Sequence, residues 1–152
     1  DEAQKSMDTL KEAVLHCPTL TPINYESEYL VVLVVDLFII RVGWYISQEH
    51  LDHKQRINQF GSINWNVMQA QYLQAKIELF GLYYTLYTLH IYLISVKKLI
   101  VKMDTSYIKG MINKPDLQPN ATINCWIASI LLFNFEFCHI PASDFKCTDR
   151  LL

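Results

Sequence analysis

An almost entirely apolar stretch runs from Tyr29 to Ile46, YLVVLVVDLFIIRVGWYI, interrupted by Asp36 and Arg41. Its first half, Val31 to Phe38, is β-branched and of strand length. Ile40 to Ser47 continues as a second strand, with Gly43 marking a bulge or a close packing contact. The polar segment Glu49 to Arg56 then reads as a hairpin connection, and Ile57 to Trp65 as a third, weaker strand containing Gly61. Upstream, Met7, Leu10 and Val14 fall at helical spacing, which predicts an amphipathic helix over Glu2–Val14, stopped at Cys17-Pro18. Downstream, Gln69 to Ile94 reads as one long helix, apolar nearly all round after Lys76 and Glu78. Leu99 to Met103 is a short strand ending at Asp104. A short helix over Ser106–Asn113, a loop PDLQPN, a helix over Ala121–Leu132, a strand over Phe135–Ile140 and a polar tail from Ala142 complete the chain.

This order predicts an α/β fold with a five-stranded mixed sheet. Three strands with short links form an antiparallel meander, and helical crossovers then add parallel strands. The 152 residues suffice for one domain with a substantial core. At 51% hydrophobic and 18% charged residues the composition is that of a folded chain. A net charge of −2 provides no overall basic field for nucleic acid, although an acidic metal site can take its basic grip from a neighbouring domain.

The N-terminal sequence DEAQKSMDTLKEAV lacks the apolar core of a secretion signal. Cys17, Cys125, Cys138 and Cys147 lack paired metal-ligand spacing and read as reduced, intracellular thiols. Asn120-Ala-Thr122 matches a glycosylation acceptor, but Asn120 after Pro119 is the better helix N-cap. Leu79 to Val96 has the length of a membrane span. Thr and Tyr residues and Gly81 interrupt it, and one flank lacks basic residues, so no membrane association is expected.

Four acids carry the candidate chemistry. Asp36 lies in mid-strand, where a buried unpaired carboxylate costs several kcal/mol, so it requires water, a counter-charge or a metal. Glu78 lies in the first turns of the long helix, Asp104 ends the fourth strand and Asp149 lies in the tail. Taken singly, Glu78 reads as a helix-surface residue, Asp104 as a helix N-cap and Asp149 as a solvated tail residue. Strand C-terminal ends, however, form the usual crevice of such sheets. Carboxylates converging there repel one another unless hard cations hold them, and Mg²⁺ or Mn²⁺ suits oxygen ligands. Two such ions are a known arrangement for in-line displacement at phosphorus.

The order Asp, Glu, Asp, Asp on these elements resembles the ribonuclease H domain of reverse transcriptases, and more closely that of fungal gypsy-type LTR retrotransposon polyproteins. The resemblance is carried by VVLVVD with VGWYISQE, QFGSINWN, QAKIELFGL, WIASILLFNFEFCHIPA and TDRLL, and most specifically by YIKGMINKPDLQPNATIN. It implies a ribonuclease H-like domain over residues 29–152 with a truncated last helix. Residues 1–28 would be the end of the connection segment that follows the polymerase. It further implies two-metal-ion hydrolysis of the RNA strand of an RNA–DNA hybrid with Mg²⁺ or Mn²⁺. Asp36, Glu78, Asp104 and Asp149 would be both catalytic residues and metal ligands, and the polymerase domain would be a partner in cis. The expected location is the cytoplasm, a virus-like particle or the nucleus. His139, within the last strand, is read as a core or edge histidine, not as the loop histidine that some of these enzymes carry.

The chain departs from the family pattern at several places. Leu37 and Phe38 stand where small hydroxyl residues usually follow the first aspartate. Tyr84, Tyr87, His90 and Cys125 stand where arginines are usual, and the terminal motif reads TDRLL. Many of these changes need one C-to-T or G-to-A transition, as in a mutationally decayed copy; a coding sequence without that bias would contradict this. The alternative function is a catalytically dead ribonuclease H-like relic or a module that grips template without cutting.

Overall fold

The computed structural model describes residues 2–15, 19–38, 40–66, 69, 72–104, 107–113 and 120–140. In chain order the elements are α1 (Glu2–Leu15), β1 (Val31–Phe38), β2 (Arg41–Glu49), β3 (Gln55–Asn64), α2 (Gln74–Thr88), α3 (His90–Leu93), β4 (Leu99–Met103), α4 (Tyr107–Asn113), α5 (Ala121–Ile130) and β5 (Glu136–His139). The five strands form one sheet in the order β3-β2-β1-β4-β5. β1–β2 and β2–β3 are antiparallel, whereas β1–β4 and β4–β5 are parallel. The mixed sheet expected from the element order is the one observed.

Strand alternation divides β1 between two faces. Val31, Leu33 and Val35 join the main core with Leu79, Leu82 and Leu86 of α2 and Trp126, Ile127 and Ile130 of α5. Val32 and Val34 face the other side, with Leu30, Tyr45 and Ile140. Each fully buried aliphatic side chain contributes about 1.5–3 kcal/mol, so the uninterrupted apolar run that opens β1 is explained by burial on both faces.

Several boundaries differ from the sequence expectation. β3 begins at Gln55, not Ile57. It is an edge strand whose backbone pairs with β2 whatever its side chains are, so polar Gln55 and Arg56 belong to it. The register shift in this hairpin lies at Ile46/Ser47, whereas Gly43 pairs regularly with Asp36 and Ser62. The glycine with a packing role is Gly61: a Cβ there would stand 2.5 Å from Trp44 Cζ2. The long helix starts at Gln74 and is broken at Leu89 into α2 and α3. No helix among the described residues is long and apolar enough to cross a membrane. Asn120 caps α5, its side chain accepting from the Thr122 backbone N–H at 2.9 Å. The Cys17-Pro18 stop lies outside the described residues. The apolar residues Met7, Leu10 and Leu15 of α1 are exposed.

The segment before β1 is held by one buried amide. Gln48 is 1% exposed. Its Nε2 donates to Asn24 O at 3.0 Å and to Ser27 Oγ at 3.1 Å, and its Oε1 accepts from Asn24 N–H at 2.8 Å. Truncation leaves buried groups unsatisfied at about 1–3 kcal/mol. Gln48→Ala is therefore expected to lower stability by about 2 kcal/mol in urea unfolding and to speed amide exchange at Asn24; an unchanged midpoint would refute this anchoring role.

Candidate active site

The sheet puts two of the expected acids at the same end of adjacent strands. β1 and β4 run parallel with Val34 opposite Lys102. The paired register ends there; Asp36 follows two residues later within β1, and Asp104 lies just past the end of β4. Asp36 alternates with Val32 and Val34 on one face of β1. Asp36 is half-buried near the end of its strand, which answers the solvation problem of a carboxylate in an apolar run. Asp104 is exposed, just beyond Met103.

Glu78 approaches from the opposite side. It lies in the second turn of α2, on the helix-covered face, and is 7% exposed. It is therefore not an ordinary helix-surface residue. Gln74, one turn earlier, donates from Nε2 to Glu78 Oε1 at 2.8 Å. Asp149 lies outside the described residues.

His139 was not among the sequence candidates. It ends β5 as Asp104 follows β4, and Met103 pairs with His139 across the parallel ladder. Its Nε2 stands 3.3 Å from Asp104 Oδ1, with both side chains partly exposed. It is thus an edge histidine in contact with a candidate acid. The sequence signal was the matched position of the two residues at the ends of consecutive parallel strands.

Carboxylate oxygens are suitable donors for Mg²⁺ or Mn²⁺. Among the described residues, however, no three His, Cys, Asp or Glu side chains gather closely enough to hold a metal ion. Asp36 and Asp104 lie at the same end of the sheet, and Glu78 lies on α2, which packs on the main core.

Beside the acids lies an aromatic cluster. The Phe80 ring is 5.0 Å from Trp126, 5.5 Å from Trp65 and 5.9 Å from Tyr72. Lys76 Nζ stands 3.9 Å from the Tyr72 ring centre. This cluster ties the N-terminal half of α2, which carries Glu78, to α5.

An antiparallel meander β1–β2–β3 continued by the parallel strands β4 and β5, helices packed on the main core and acids at the strand ends define a ribonuclease H-like α/β domain. Residues 1–101 match the model of the RNase H-like domain found in reverse transcriptase, and the chain belongs to that family. Solved structures agree on the fold. A foamy viral protease–reverse transcriptase bound to double-stranded DNA superposes with a TM-score of 0.62 at 11% identity, covering 92% of this chain and 24% of that one. RNase H1 from the archaeon Halobacterium salinarum gives 0.55 at 11% identity, covering 80% and 93%. LC11-RNase H1, solved in complex with an RNA/DNA hybrid, gives 0.55 at 14% identity, covering 82% and 93%. The chain spans about a quarter of the length of the foamy viral protein. No curated protein sequence matches it significantly.

Proposed function

We propose that this chain is the RNA–DNA hybrid ribonuclease module of a retroelement reverse transcriptase, of the gypsy type, working in cis with a polymerase domain. The observation that carries the reading is that Asp36 lies near the end of β1 and Asp104 just past the end of the adjacent parallel strand β4, in a domain of this family. Asp36, Glu78, Asp104 and Asp149 are the proposed catalytic set and the ligands of a divalent cation pair, Mg²⁺ or Mn²⁺. When bound, the ions would activate water and offset charge at the scissile phosphate. The hydrogen bond from Gln74 to the buried Glu78 supports its inclusion in the set. The proposed setting is the cytoplasm, a virus-like particle or the nucleus.

A second reading, a module that grips the hybrid without cutting it, is supported by the bulky Leu37 and Phe38 that directly follow Asp36. Binding and cleavage measured on one hybrid separate the two. A duplex labelled on either strand, with Mn²⁺, is expected to be bound and to lose only its RNA strand. Binding without shortening of either strand by a folded chain would establish the second reading, and absence of binding would refute both.

A further inference from the structure

The sheet beside Asp36 carries a cation to which the acids give no role. In the antiparallel β1–β2 ladder Asp36 pairs with Gly43 and Phe38 with Arg41. Residues directly opposite one another in such a ladder share a face, and alternation puts Arg41, Gly43 and Tyr45 on one face of β2. Tyr45 packs with Val32 and Val34, the β1 residues that alternate with Asp36. Arg41 therefore lies on the face of Asp36, two residues along β2 from Gly43. β3 extends the row, with Ser62 opposite Gly43 and Asn64 opposite Arg41, both exposed. Gly43 adds no side chain between Asp36 and Ser62. Trp65 closes this end of the hairpin, donating from its backbone N–H to Ile40 O at 2.8 Å and from Nε1 to Phe38 O at 3.2 Å.

Arg41 is half-buried, and its Nε is shut off from water without a hydrogen-bond partner among the described residues. No described carboxylate pairs with its guanidinium. A buried donor without an acceptor is unfavourable, and a guanidinium is a rigid fork that fits the paired oxygens of a phosphate. We infer that Arg41, with Ser62 and Asn64 beside it, is a docking strip for the sugar–phosphate backbone of the hybrid. The guanidinium takes a phosphate flanking the one that reaches Asp36, and the Ser62 hydroxyl and Asn64 amide donate to backbone oxygens further across the sheet. Arginine, serine and asparagine are the side-chain types that make such backbone contacts. In a chain of net charge −2, this strip supplies local attraction where the acids repel a polyanion. The inference rests on the hybrid reading proposed above.

The test is fluorescence anisotropy of a labelled RNA–DNA hybrid with the full chain in EDTA, over a series of KCl concentrations. Arg41→Gln is expected to weaken binding about fivefold or more and to flatten the slope of log affinity against log salt by about one, the loss of one phosphate contact. Arg41→Lys keeps the charge and loses the fork, so it should retain the wild-type slope and recover part of the affinity. Ser62→Ala and Asn64→Ala, which remove uncharged donors, should each weaken binding about twofold with no change of slope. Arg56 is already paired with Asp52 at 3.3 Å, near the other end of β3. Arg56→Gln should therefore leave affinity and slope as in wild type. A folded Arg41→Gln chain with the wild-type slope overturns the strip; should that variant not fold, Arg41→Met, which keeps the apolar stem, carries the same comparison. Wild-type binding that appears only with Mn²⁺ also overturns it, because a guanidinium holds a phosphate without a metal. Absence of wild-type binding in EDTA and in Mn²⁺ alike refutes instead the hybrid reading on which the strip depends.

Discussion

Asp36→Asn is expected to reduce hybrid cleavage at least 100-fold while leaving the fold intact or slightly more stable. The substitution keeps the shape and removes the charge. A 100-fold loss corresponds to about 2.7 kcal/mol of transition-state stabilisation, the order lost when one preorganised electrostatic group is removed. The stability side follows from the register. Asp36 lies in β1 and Asp104 directly follows the adjacent parallel strand β4, and like charges gathered at one sheet end repel. Removing one relieves that repulsion, a pattern common where function and stability compete. Single-turnover cleavage and a melting curve on the same preparation check both halves. Retained cleavage would remove Asp36 from the site, and a large drop in melting temperature would show that its carboxylate has a structural role instead.

Trp126→Ala is expected to cost about 3–5 kcal/mol, the usual loss for a buried tryptophan truncated in a core. Trp126 is 8% exposed. Its ring centre lies 5.0 Å from Phe80 and 6.1 Å from both Tyr72 and Tyr83, and Lys76 Nζ stands 5.7 Å away. These contacts join α5 to the half of α2 that bears Glu78, and aromatic pairs add about 0.5–1.5 kcal/mol each beyond burial. Against a typical total of 5–15 kcal/mol, the loss should bring the domain near unfolding at 37 °C. Urea denaturation followed by far-ultraviolet circular dichroism measures it. Trp126→Phe should retain most of the stability, and a loss below about 1 kcal/mol for the alanine variant would show that the cluster does not hold α2 to α5.

Much of this fold was legible in the residues. The β-branched run from Val31, the Asp104 that follows the fourth strand and the Asn120 cap each have a local signature, and the strand–helix order constrains the topology. The misread boundaries have local causes. A helix that is apolar on nearly every face gives no periodicity from which to place its start at Gln74 or its break at Leu89. An edge strand such as β3 is defined by backbone pairing, so Gln55 and Arg56 look like turn residues. The site was legible as a set of acids, not as a geometry. The placement of Asp36 and Asp104 at one sheet end depends on a parallel pairing that sequence does not specify, and so does the contact between His139 and Asp104. Leu37 and Gly81 were each conspicuous alone, a bulky residue after the first aspartate and a glycine inside a helix. Only the structure shows that Leu37 fills the space a side chain at position 81 would need.

The most direct measurement is the location of Mn²⁺ by anomalous scattering from crystals of the wild-type chain equilibrated at saturating Mn²⁺. The expected result is a peak in direct contact with Asp36 and with at least one of Glu78, Asp104 and Asp149. A well-ordered protein whose Mn²⁺ peaks all lie away from Asp36 would contradict the assignment of these carboxylates as a cation site.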